Sequence, residues 1–217
     1  MNTIKKTSFM LALAFVSMLA PLSCRQAGNE NTSASPEGIT SPVIETIMAR
    51  RSVRAYKPVP VSRDTMNVIL ECGINAPNGM NRQSWEIRVV DNAEAIAEVT
   101  SAFLAVNPKF GEDPGFVNMF RNAPVVAFIA CDPAYGMSQI DCGLLGGNMV
   151  IAAKSLGIGS CCLGGPVQFL KSPEGKSFLD KLAFSDGYEL LYAIAFGYPA
   201  ENPDAKPRDK SKIVFVD

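Results

Sequence analysis

The chain has 217 residues, with 20 basic and 21 acidic side chains, and a formal net charge of -1 provides no basic face of the kind that nucleic-acid binding needs. Histidine is absent, which excludes a Ser-His-Asp triad, a Cys-His nucleophile and an HExxH zinc site. A group that works near neutral pH must then come from elsewhere, and a bound organic cofactor is the natural source.

In chain order, the first segment reads as an address. Lys5-Lys6 precede an apolar run from Phe9 to Leu22 that is too short to span a bilayer comfortably. Ser23-Cys24 follows, and this resembles a bacterial lipobox, in which the cysteine is lipidated and becomes the new N-terminus. Pro21 stands where that pattern prefers an aliphatic residue; ordinary signal cleavage and a retained anchor are the alternatives. The expected organisation is a lipoprotein-type signal peptide over 1–24, lipidated at Cys24, a flexible polar tether over 25–40, and one domain over 41–217. Acyl chains on Cys24 would attach the domain to a bacterial membrane, on its periplasmic or surface side.

Ser41-Pro42 is a helix start, with an apolar stripe at Val43, Ile44, Ile47 and Met48. Ser62 caps a second helix that stops before Pro77. Trp85 to Val90 alternates as a strand, Asn92 caps a helix through Phe103, and Pro108 to Gly115 reads as a loop. Pro124 to Cys131 is continuously apolar, as in a strand buried on both faces. Asp141 to Leu156 reads as the longest helix, and its Gly143, Gly146 and Gly147 suggest close approach of another helix, in this chain or a second one. Gly159 to Leu163, Glu189 to Phe196 and Lys212 to Val216 read as strands. Without regular βαβ alternation, the class is α+β. Of the six cysteines none has CxxC spacing, so a zinc site has no support; Cys72, Cys131 and Cys142 read as core, and Cys161-Cys162 as small strand residues.

Three separated segments carry polar groups suited to one site. They are Arg50-Arg51-Ser52-Val53-Arg54, the amide-rich Ala76 to Trp85, and Lys206-Pro207-Arg208. Guanidinium and ammonium groups hold phosphate, and amides read heterocycle edges. Each segment alone also fits a solvated helix end, a turn or a tail.

In order and spacing, these segments together resemble the nitroreductase family of flavin enzymes. So do Ala152-Ala153-Lys154-Ser155-Leu156-Gly157-Ile158-Gly159-Ser160, Gly164-Gly165 and Gly197-Tyr198-Pro199. Asn78 and Gly79 stand where that pattern has serines, and Ser84 where it has proline. The resemblance implies a central, mostly antiparallel sheet flanked by helices and completed by a C-terminal strand exchanged in a homodimer. It implies FMN held non-covalently at the subunit interface. Arg50 and Arg208 would pair with its phosphate, Lys206 adding charge; Arg51 and Ser52 would meet the ribityl chain; Arg54 would reach the pyrimidine edge. Pro77, Asn78 and Gly79 would come from the partner subunit, with Asn81 and Gln83 near the ring, and Cys162, Leu163, Gly164 and Gly165 beside its N5 side. Asn118 is a further candidate.

No side chain stands out as a catalytic acid or base. The implied activity is transfer of electrons from NAD(P)H to a small nitroaromatic, quinone or similar acceptor through a ping-pong flavin cycle. An exported protein would not meet cytoplasmic NAD(P)H, so the alternative is a membrane-tethered flavin carrier or sensor without a reductase cycle.

Overall fold

The computed structural model describes residues 38–216. The expected signal segment, Cys24 and most of the tether lie outside the described residues; residues 38–40 are exposed coil or turn. No helix among the described residues is long and apolar enough to cross a membrane.

Four strands, β1 (Trp85–Val90), β2 (Val125–Cys131), β3 (Gly159–Leu163) and β4 (Glu189–Gly197), form one sheet in the order β1-β2-β4-β3. Every neighbouring pair is antiparallel. β2 is buried at every position, as its unbroken apolar run requires, and its side chains feed two cores in alternation. Val126 and Phe128 pack on one face with α3 (Ala93–Val106), α5 (Gly165–Leu170) and α6 (Lys176–Lys181). Val125, Ala127 and Ile129 pack on the other with α2 (Arg63–Ile74) and α4 (Ser138–Ser155). The α+β class and the antiparallel sheet flanked by helices are as expected from the sequence.

Helix starts follow their caps. The N–H groups of Ile44, Thr65 and Ala95 donate to the side chains of Ser41, Ser62 and Asn92, at 3.3, 3.1 and 2.8 Å, opening α1 (Pro42–Ala49), α2 and α3. Several expectations need correction. α4 begins at Ser138, three residues early, without a side-chain cap. The short helices α5 and α6 add to the expected elements, and the 108–115 loop contains a 3-10 turn over Pro108–Glu112. Cys72 is exposed rather than core. Lys212 to Val216 is not a strand within this chain: a 3-10 turn spans Lys210–Lys212, and Ile213, Val214, Phe215 and Val216 are 72, 75, 90 and 93% exposed. An apolar tail so uncovered has no partner in its own subunit.

The glycines of α4 do not serve a helix crossing in this chain. A Cβ on Gly146 would meet the Tyr192 hydroxyl on β4 at 2.1 Å, whereas one on Gly143 or Gly147 would meet nothing. The glycine that lets α2 close on α4 is Gly73, where a Cβ would fall 2.5 Å from Met149.

Candidate functional site

The chain leaves α1 at Arg50, whose ψ of 136° ends the helix, and runs out along the sheet edge. The Val53 N–H donates to the Ser160 carbonyl at 3.0 Å, and Lys57 N–H to the Tyr198 carbonyl at 2.8 Å. Val53 and Tyr56 turn inward and are buried. This zipper leaves Arg50, Arg51 and Arg54 on the outer side, where they line one cavity of about 750 Å³ with Ser52, Cys162, Lys206 and Arg208. Two segments roughly 150 residues apart thus supply five cations to one space. None of the five forms a side-chain ion pair among the described residues. Their internal bonds are to carbonyls, such as Arg51 Nη1 to Met48 O at 2.7 Å and Arg208 Nη1 to Lys206 O at 3.1 Å. The Glu201 carboxylate accepts from the Arg54 backbone N–H, and Asp204 also lines the cavity, so positive charge is in excess there.

Gly143, Gly146 and Gly147 of α4 line the same cavity. Since Cβ atoms on Gly143 and Gly147 would have no protein neighbour, the bare backbone leaves a cradle that side chains would fill. A cavity that joins five cations to a stretch of bare glycine backbone suits a phosphorylated group with room for a ring beside it.

Arg54 and Cys162 also line a second cavity, of about 660 Å³. Its walls include Asn118, Leu163, Gly164, Gly165, Arg121 and the rings of Phe103, Phe110 and Phe116. Cys161, buried in β3, has its thiol pushed up mainly by burial, while Arg54, Arg121 and Arg50 pull it back. Cys162 is exposed, yet its thiol is likewise raised, first by the protein packed around it and second by Cys161, against the pull of Arg50. Neither is a poised thiolate, and no group of metal-ligating side chains is found among the described residues.

Eleven expected site residues therefore meet around these two cavities: Arg50, Arg51, Ser52, Arg54, Asn118, Cys162, Leu163, Gly164, Gly165, Lys206 and Arg208. Asn118 belongs chiefly to the scaffold. Its Oδ1 accepts from the N–H groups of Phe120 and Asn122 at 2.9 and 3.0 Å. Pro77, Asn78, Gly79, Asn81 and Gln83 line neither cavity. They form a separate strained loop, with Met80, Asn81 and Gln83 at φ of 53, 52 and 50°. Asp141, buried in the first turn of α4, holds it: its carboxylate accepts from Gly79 N–H at 3.1 Å and from Ser84 Oγ at 3.3 Å. In the sequence Asp141 marks only a helix start, because its partner Gly79 lies 62 residues away.

The comparisons with known proteins agree with this geometry. The model of the "Nitroreductase family" matches residues 47–198, more than half of the sequence. The chain belongs to the nitroreductase family. A nitroreductase with bound FMN from Bacteroides fragilis is 30% identical, with a TM-score of 0.72 over 82% of this chain and 100% of that one. Another family member with bound FMN, from Desulfitobacterium hafniense, is 29% identical with a TM-score of 0.73 at the same coverage. A putative NADH dehydrogenase/NAD(P)H nitroreductase from Archaeoglobus fulgidus is 28% identical over 166 residues, 74% of this chain and 87% of that protein. The NADPH-flavin oxidoreductase of Vibrio harveyi is 27% identical over 179 residues, 79% of this chain and 71% of its own.

Proposed function

We propose that this chain is an FMN-dependent oxidoreductase that takes electrons from NAD(P)H and gives them to a nitroaromatic, quinone or similar small acceptor, in alternating half-reactions. The observation that carries this reading is the convergence of Arg50, Arg51, Arg54, Lys206 and Arg208 on one glycine-walled cavity. In this reading Arg50 and Arg208 hold the phosphate, with Lys206 adding charge, and Arg51 and Ser52 meet the ribityl chain. Arg54, at the junction of the two cavities, faces the pyrimidine edge, where a cation favours negative charge on the ring. When bound, FMN supplies the redox chemistry; the chain's own part is to hold it, bias its charge and leave the second cavity open beside it. Protons come from solvent, consistent with the absence of histidine.

The reading requires a second copy. Five of the expected residues lie away from the cavities in their own chain, so a partner subunit would bring that loop to the site. Three apolar surfaces support this. The stripe of α1 is exposed at Val43 (64%) and Ile47 (46%), α4 exposes Ile140 (54%), and the tail from Ile213 is uncovered. The tail would complete the partner's sheet as an exchanged strand. We also propose attachment to the cell envelope through a lipidated Cys24, on the strength of Lys5-Lys6, the apolar run and Ser23-Cys24; mass spectrometry of the membrane fraction would find either the diacylated Cys24 peptide or its unmodified form.

The test of function is an absorbance spectrum of the purified protein, followed by anaerobic addition of NAD(P)H. A flavin spectrum that bleaches on addition and returns with a nitroaromatic is expected. Bound flavin that never bleaches would leave the carrier or sensor reading, and a colourless protein that refuses added FMN would overturn both.

A further inference from the structure

The turn between α3 and β2 holds two consecutive left-handed residues that are not glycine, Arg121 at φ 62° and Asn122 at φ 63°. Such strain persists only where the surroundings over-determine it, and it gathers at ligand clamps. Here the surroundings are a knot of amides. Asn118 Oδ1 accepts from the N–H groups of Phe120 and Asn122, and its Nδ2 donates to the Ala123 carbonyl at 3.3 Å. Asn122 Oδ1 accepts from Val117 and Asn118, each at 2.9 Å, and its Nδ2 donates to the Gly115 carbonyl at 2.8 Å. Phe120 and Ala123 are fully buried on either side. The knot fixes where Arg121 starts.

The Arg121 side chain lines the second cavity and has no ion-pair partner among the described residues. Arg54 and Cys161 line the same cavity, and the charges of Arg54 and Arg121 both oppose the rise of the Cys161 thiol. Another wall is aromatic. Phe103 lies 5.1 Å from Phe110 and 6.2 Å from Phe116, and Phe169 meets Phe103 edge-on at 5.4 Å. Asp113 is the carboxylate on this lining, and its Oδ1 already accepts from Gly115 N–H at 2.8 Å. A flat ring fits the phenylalanines, and an anionic substituent fits a free guanidinium fork.

We propose that Arg121 sets the specificity of this second cavity, and that its ligand is a planar aromatic acid with its ring on the phenylalanines and its carboxylate on Arg121. The proposal rests on the flavin reading only for what happens to the acid once bound; the subsite itself stands on Arg121 and the aromatic wall.

Calorimetry on the purified full chain tests it, with 2-naphthoate and its uncharged amide as probes. The wild type is expected to prefer the acid by about tenfold, the worth of one charge-assisted contact. Arg121→Gly should abolish that preference without lowering the melting temperature, because glycine accepts the left-handed backbone. Arg121→Lys should keep part of it, having the charge without the fork. Equal affinity of the wild type for both probes would overturn the proposal, as would a preference that survives in Arg121→Gly. A preference that depends on Arg121 in a protein that binds no flavin would sink the oxidoreductase reading alone; flavin binding without acid preference would sink this proposal alone.

Discussion

The cationic cavity takes its charges from two stretches without regular structure, 50–54 and 206–208, the first of them held to the sheet edge by the Val53 N–H bond to the Ser160 carbonyl. The aromatic cavity takes its one new cation from a turn locked by two asparagines above fully buried Phe120. One is built by gathering charge, the other by fixing a backbone. Gathered, unpaired cations suit a ligand that supplies its own strong negative charge; a fixed turn suits discrimination between ligands of similar shape.

The difference can be broken most forcefully at Phe120. Phe120→Ala should cost about 3–5 kcal/mol in urea unfolding, while FMN affinity of the folded fraction stays near wild type; a loss below about 1 kcal/mol would mean the turn is not seated on that ring. Asn118→Ala leaves the N–H groups of Phe120 and Asn122 without their acceptor. It should cost about 1–3 kcal/mol and weaken acid binding more than FMN binding; parallel losses in both would erase the distinction.

The core between α4 and the sheet should be sensitive to alkali. Cys142 on α4 is fully buried and its thiol is pushed up to about 12, chiefly by burial. A pKa raised in the folded state gives stability that is complete below the unfolded value of about 8.5 and is lost as pH rises towards the folded one. Melting temperature should therefore fall between about pH 9 and 12, and Cys142→Ala should flatten that fall; an unchanged slope in the variant would assign it elsewhere. The smallest effect concerns salt. Raising ionic strength should weaken FMN binding several-fold, as the half-buried to exposed cations are screened within a Debye length of about 10 Å at 0.1 M, and should leave an uncharged aromatic amide unaffected.

Much of this was readable in advance for local reasons. Caps at Ser41, Ser62 and Asn92 mark helix starts because the side chain that accepts the first N–H is itself in the sequence. β2 is legible because an unbroken apolar run has few other places to go. The short α5 and α6 escaped because six-residue helices lack a period to detect, and both start without a side-chain cap. The 212–216 segment misled because its β-forming residues find no partner within the subunit. At the site, the arginine cluster stood out by composition, whereas Arg121 did not. Its position depends on a positive φ that no residue type at 121 advertises, held by Asn118 and Asn122 acting through the fold. Asp141 was hidden for the same reason, as its partners Gly79 and Ser84 are remote in sequence.

The most direct measurement is the FMN dissociation constant of the full chain and of the Arg50→Ala/Arg208→Ala variant. Loss of two charge-assisted contacts to one phosphate predicts affinity weaker by about 100-fold or more, with an unchanged melting temperature of the apoprotein because neither side chain is buried. An affinity equal to that of the wild type would contradict the assignment of this cavity to the cofactor phosphate.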